Sequence, residues 1–273
     1  MGKDIAIVFM CAGISSRFGG KIKQFAQVGS NGETLMECSL NQALKAGFTR
    51  IFFIVGDKTE RPFKEKFGDL YKKIPVSYFL QKFDTSARDR PWGTADAVCS
   101  INSIDCPFVV CNSDDIYGEY AFKILADHLR SSNECAVIGY RLADALPYNL
   151  GANRAIFKKD SKNYALDLRE VFNILRSNLS ATGNSPEDLC SMSIYALHGD
   201  MLNDLKEIVE EFKRNHVGDR KIECLMPDSI GRLIRENKIK VKIYPARDKP
   251  LGITCPEDEK IVKAQLAELK TTN

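Results

Sequence analysis

Met10-Cys11-Ala12-Gly13-Ile14-Ser15-Ser16-Arg17-Phe18-Gly19-Gly20-Lys21-Ile22-Lys23-Gln24 is the stretch on which the fold turns. It follows the apolar run Ile5-Ala6-Ile7-Val8-Phe9, which reads as a buried parallel strand. Ala12, Gly13, Ser15 and Ser16 let a backbone pass close to a ligand and offer N–H groups. Arg17 and Lys23 add the positive charge that a triphosphate needs. The loop is therefore suited to hold a nucleotide. It is not a Walker-type phosphate loop, because Phe18 stands where the second glycine would be, and Ser15 breaks the dinucleotide fingerprint.

Outward from this loop, strand and helix signals alternate, as expected for a parallel α/β sheet. Strands are predicted at Ile5–Met10, Ile51–Val55, Val76–Leu80 and Phe108–Cys111. Thr34–Ala46 has helical apolar spacing, with Gly47 as its stop, and a second helix is predicted at Ala121–Leu129. In the second half, Ala136–Tyr140, Met192–Leu197 and Ile239–Tyr244 read as strands. Asp200–Asn215, Pro227–Glu236 and Pro256–Leu269 read as helices. Ser177–Pro186 reads as a loop, and the segment between Lys158 and Ser185 reads as irregular. With no internal repeat and no clean linker, we expect a single domain over residues 1–273. Its nucleotide-binding lobe would span about residues 1–130 and its acceptor-binding lobe about 131–273.

A net charge of +3, spread along the 273 residues, argues against a nucleic-acid footprint. No apolar run approaches membrane-spanning length, and the N-terminus has no signal-peptide pattern, so the chain reads as cytosolic. The nine cysteines form no C-x-x-C pair; most lie in apolar runs and read as reduced, packing thiols. Cys11, inside the loop, is the candidate for sensitivity to thiol reagents. The histidines, His128, His198 and His216, lie away from the motifs, so a His-based triad or metal site is unsupported.

The loop Ala12-Gly13-x-Ser-Ser16-Arg17-x-Gly19-Gly20 with Lys23-Gln24 resembles the signature of nucleotidyltransferases that make nucleotide-sugars. Further matches follow in order: Val28-Gly29-Ser30-Asn31-Gly32-Glu33-Thr34, Arg90-Pro91-Trp92-Gly93-Thr94-Ala95, Asn112-Ser113-Asp114-Asp115-Ile116-Tyr117-Gly118, Val137-Ile138-Gly139-Tyr140-Arg141-Leu142 and Pro250-Leu251-Gly252-Ile253-Thr254. The resemblance, to NDP-sugar pyrophosphorylase-like proteins, runs from about Ile5 to about Leu269. It implies a Rossmann-like, mostly parallel mixed sheet flanked by helices, as in GT-A-like nucleotidyltransferases.

The resemblance also implies a Mg²⁺-dependent transfer joining an NTP (UTP, CTP or dTTP) to a small phosphorylated acceptor, first of all a sugar 1-phosphate. It assigns Arg17, Lys23 and Asp114 to catalysis and Asp114 to the metal, with Asp248 as a second carboxylate. It places Ala12, Gly13, Ser15, Ser16, Arg17, Gln81, Gly93 and Thr94 around the nucleotide, and Gly139 and Glu170 toward the acceptor. From chemistry alone, the Gln81 amide can pair with a base edge through its donor and its acceptor. Asp114-Asp115 can also cap a turn, a reading that ranks below the metal one because the loop upstream already points to phosphate; Asp248 can be a surface ion pair with Arg247 or Lys249, and Trp92 reads as packing. Relatives carry a Glu-Lys pair near mid-chain, whereas Arg169-Glu170-Val171 has no adjacent lysine. Three other readings remain: a cytidylyltransferase for a polyol phosphate or phosphocholine, a GT-A-type glycosyltransferase, and a non-catalytic nucleotide-sugar-binding regulator.

Overall fold

The first strand is apolar at every position, so it must be covered on both faces. The computed structural model, which describes residues 3–13, 18–19, 21–147, 151–179, 183–253 and 256–271, shows how. In β1 (Ala6–Met10), Ile7 and Phe9 join one buried cluster, and Ala6, Val8 and Met10 join another on the opposite face. The next elements are α1 (Leu35–Lys45), β2 (Arg50–Val55), α2 (Glu60–Phe67), β3 (Leu70–Tyr71), β4 (Ile74–Leu80), α3 (Thr94–Cys99), β5 (Phe108–Asn112), β6 (Asp115–Ile116) and α4 (Glu119–Ser131). The second half comprises β7 (Cys135–Arg141), α5 (Leu142–Ala145), β8 (Ala152–Lys159), β9 (Ala165–Ile174), β10 (Leu189–Ser191) and β11 (Ile194–Leu197). After these come α6 (Met201–Asn215), α7 (Met226–Arg235), β12 (Val241–Pro245), β13 (Leu251–Gly252) and α8 (Asp258–Thr271).

One continuous sheet runs in the order β3-β4-β2-β1-β5-β11-β7-β10-β8-β9, and β12 also pairs with β7. Strands β4, β2, β1 and β5 are mutually parallel. Beyond β5 the sheet turns antiparallel through β11, β7, β10, β8 and β9. The mixed sheet flanked by helices is the expected fold class. Residues from α1, α2 and α4 cover one face, and residues from α3, α6 and α7 cover the other. A third cluster joins Phe18, Val28, Leu35, Ile116, Leu251 and Ile253 to Val262 and Leu266 of α8. The C-terminal helix thus buttresses the end of the loop that leaves β1.

Local chemistry explains the boundaries. Thr34 caps α1: its hydroxyl accepts the Glu37 N–H, and the Glu37 carboxylate accepts the Thr34 N–H at 2.9 Å. Gly47, at φ +88°, ends the helix as predicted. The segment expected to be irregular instead contains β9, paired with β8 from Ala152↔Ile174 to Lys159↔Ala165 with two register shifts. Its charged outer residues and those shifts hide the alternation. Helix α7 packs against this hairpin so closely that a Cβ on Gly231 would lie 2.0 Å from the Leu168 carbonyl oxygen. Gly231→Ala must therefore push α7 off β9. We expect a loss of about 1–3 kcal/mol, read as a lowered urea midpoint with an unchanged slope. An unchanged midpoint would show that this contact relaxes without cost.

Candidate active site

Open α/β sheets bind ligands beyond the carboxyl ends of their strands, where the strand order reverses. Here the reversal lies between β1 and β5, whose ends are in register at Met10↔Asn112. A cleft of about 610 Å³ opens at that point. Ala12, Gly13, Lys23, Gln81, Gly93, Thr94 and Asp114 all line it, so residues far apart in sequence meet in one place. Ser15, Ser16 and Arg17 lie outside the described residues.

Two adjacent residues tie the first loop to the end of β5. The Lys23 ammonium pairs with the Asp114 carboxylate, both partly exposed to the cleft. The Gln24 amide donates to Ser113 Oγ at 3.0 Å, and Ser113 donates to the Met10 carbonyl at 2.6 Å. Gln24 is buried, and its Oε1 has no donor among the described residues. Lys21, by contrast, is exposed, which identifies Lys23 as the inward lysine. Partly buried ion pairs contribute little net stability once desolvation is counted. What this one contributes is a cation and an anion held ready at the cleft wall. Asp115 has a separate environment: it accepts from Asn112 Nδ2 at 3.1 Å, and burial, then the charge of Asp114, push its carboxyl up.

The opposite wall is a clasp between residues 84–93 and 219–224. Arg88 is 3% exposed and donates to the carbonyls of Asp219, Ile222 and Arg90, at 2.6, 2.5 and 3.1 Å, with its guanidinium 3.5 Å from the Trp92 ring centre. Trp92 also meets Phe212 edge-on, so its role is packing. Gly93 adopts φ +107°, and a Cβ there would lie 2.5 Å from the Cys224 carbonyl oxygen. The Thr94 hydroxyl accepts the Met226 N–H at 2.9 Å, capping α7. Sequence reading missed Arg88 because two of its three carbonyl partners, Asp219 and Ile222, lie more than a hundred residues downstream.

Gln81 is buried at the head of this wall. Its Nε2 donates to the Gly93 carbonyl at 3.1 Å and to the Asp96 carboxylate at 2.8 Å. The expected donor-and-acceptor reading therefore reduces to an acceptor, because both amide protons are engaged within the protein. Asp248 is not in the cleft wall. Its carboxylate accepts the Tyr120 N–H at 3.2 Å at the start of α4 and crowds Gly118. Gly139 sits in β7 between the side chains of Ile243 and Leu189, where a Cβ would lie 2.8 Å from Ile243. Glu170 lies on β9, outside the cleft lining, and its N–H donates to Asp228 Oδ1 at 3.0 Å.

Burial, then the neighbouring Asp228, pushes the Glu170 carboxyl up to about 7, opposed by Arg154. Cys11 is fully buried and its thiol is pushed up by that burial, which makes it a poor target for thiol reagents. His128 bonds Tyr244 and the Glu134 carbonyl, a structural arrangement.

A family model described as nucleotidyl transferase matches residues 20–229. The chain belongs to the nucleotidyl transferase family. Solved structures share the fold of this nucleotidyl transferase. UDP-glucose pyrophosphorylase in complex with UDP-glucose superposes with a TM-score of 0.69 at 15% identity, covering 97% of this chain and 99% of that one. A putative glucose-1-phosphate thymidylyltransferase from Bacillus anthracis, in complex with a sucrose, gives 0.69 at 12% identity, covering 96% and 95%. Apo UDP-glucose pyrophosphorylase gives 0.69 at 14%, covering 98% and 99%. No curated protein matches the sequence significantly.

The cleft chemistry suits a hard cation such as Mg²⁺: Asp114 supplies carboxylate oxygen, and the described lining contains neither thiol nor imidazole. No group of three or more His, Cys, Asp or Glu side chains forms a cage among the described residues. No described helix is long and apolar enough to cross a membrane.

The raised Glu170 carboxyl yields a signed expectation. A carboxyl near 7 in the folded chain and 4.5 unfolded holds more protons when folded, so its contribution to stability falls as pH rises through that window. Glu170→Gln should therefore gain thermal stability relative to the parent chain between pH 5 and about 8. A melting-temperature difference independent of pH would contradict the burial of this carboxyl.

Proposed function

We propose that this nucleotidyl transferase joins an NTP to a sugar 1-phosphate, giving a nucleotide-sugar and pyrophosphate. The Lys23–Asp114 pair carries the reading, because it sets a cation and a carboxylate together at the switch point of the sheet, inside a nucleotide-sized cleft. An oxygen of the acceptor phosphate attacks the α-phosphorus. The bond from that phosphorus to the bridging oxygen breaks, and pyrophosphate leaves with the electron pair. No protein nucleophile is needed; positioning and electrostatics lower the barrier.

Lys23 turns from Asp114 to the phosphates and draws the acceptor and α-phosphate together against their mutual repulsion. Arg17, assigned by its place in the signature, holds the charge gathering on pyrophosphate. Asp114 would hold Mg²⁺, which when bound neutralises phosphate charge. The backbone of Ala12 and Gly13 approaches the nucleotide on one side, and Gln81, Gly93 and Thr94 form the wall on the other. Gly139 and Glu170 belong to the lobe that takes the acceptor. The reaction is placed in the cytoplasm.

Pyrophosphate release tests this, with each NTP paired against a panel of sugar 1-phosphates, polyol phosphates and phosphocholine. Release that requires both partners and Mg²⁺ is expected, selective for a sugar 1-phosphate. Asp114→Asn should lower turnover at least about a hundredfold at unchanged melting temperature, since it removes a charge at constant volume. Nucleotide-sugar binding without release, or full activity in Asp114→Asn, would contradict the proposal.

A further inference from the structure

A buried amide can read a base only with the atoms its own surroundings leave over. Gln81 is 5% exposed and lines the cleft. One proton of its Nε2 goes to the Gly93 carbonyl and the other to Asp96 Oδ2. Rotating the amide by half a turn would put Oε1 against that carbonyl oxygen and that carboxylate, three acceptors with no proton between them. The amide is therefore held in one sense.

Asp96 is held in turn. It lies in the first turn of α3, 8% exposed, in a run that is otherwise Ala95, Ala97 and Val98. Its Oδ1 pairs at 2.8 Å with Lys213 Nζ, reaching across from α6. Burying a carboxylate is costly without an opposite charge beside it, and Lys213 supplies that charge. The order Lys213, Asp96, Gln81 passes polarity in one direction: ammonium to carboxylate, carboxylate to amide N–H, and amide oxygen to the cleft. No described residue donates to Gln81 Oε1.

We infer that Asp96, fixed by Lys213, is the positioning residue that sets base specificity, by making Gln81 present only its oxygen and so selecting a base with a ring N–H at that edge. Uracil and thymine have this group, and guanine is the purine counterpart. Cytosine and adenine have a lone pair there, which would face the lone pairs of Oε1. The inference rests on the nucleotidyl-transfer reading, since it takes the cleft to hold an NTP. Asp96→Asn breaks the order. Lys213 would attract the carbonyl oxygen of the substituted amide, leaving its NH₂ group toward Gln81 and drawing the Gln81 oxygen away from the cleft.

Equilibrium binding of UTP, dTTP, GTP, CTP and ATP, without acceptor, separates the outcomes. The parent chain should bind UTP, dTTP or GTP at least about tenfold more tightly than CTP or ATP, the scale set by an unsatisfied buried polar group. Asp96→Asn, if it melts cooperatively, should reduce that ratio to about threefold or less. Should it fail to fold, Gln81→Ala reads the same contact from the other end: UTP and dTTP affinity should fall while CTP affinity stays within about threefold. A parent chain that binds NTPs with no ring N–H preference overturns the inference alone, as does a folded Asp96→Asn that keeps the full ratio. Binding of no NTP overturns the functional reading and this inference with it.

Discussion

The parallel register of β1 with β5, ending at Met10 opposite Asn112, is the constraint on which the site depends. Because the two strands finish level, the loops that leave them face each other across one strand spacing. Ser113 can then bond back to the Met10 carbonyl, and Lys23 and Gln24 can reach Asp114 and Ser113. A slip of one residue would turn every side chain of β1 to the other face and exchange the residues that pack into the two clusters. The two hydrophobic clusters that sandwich the sheet therefore also fix where the ion pair forms.

The other wall is held by a different kind of interaction. Arg88 binds three backbone carbonyls rather than a carboxylate, so it fixes the path of the 219–224 segment without fixing the identity of the residues there. Gly93 permits the close approach to Cys224, and Thr94 caps α7, whose Asp228 accepts from Glu170 on β9. The nucleotide wall and the expected acceptor lobe thus share one short helix. Residues that line the cleft here also brace the fold.

Much of this was legible in the chain because local pattern and tertiary role coincide. Ile5–Met10 is buried on both sides and reads as a continuous apolar strand; Thr34 and Glu37 announce a helix start that the structure contains. Lys23, Gln81, Gly93, Thr94 and Asp114 converge on the cleft because strand ends in a doubly wound sheet must. The hairpin β8–β9 was hidden, since Glu170, Arg169 and Lys158 interrupt its apolar residues and the register shifts twice. Asp248 looked like a metal carboxylate from its position in the motif, but nothing local shows that its carboxylate meets the start of α4, 128 residues away in sequence. The Asp96–Lys213 and Arg88 contacts were invisible for the same reason: their meaning lies in partners brought together only by the fold.

A crystal structure of the protein with UTP and Mg²⁺ would show directly whether the Lys23–Asp114 ion pair gives way to a nucleotide. The triphosphate should lie in the cleft between β1 and β5, with Lys23 turned from Asp114 to the phosphates and the base at Gln81. A nucleotide bound elsewhere, or one in the cleft beside an intact Lys23–Asp114 pair, would contradict this expectation.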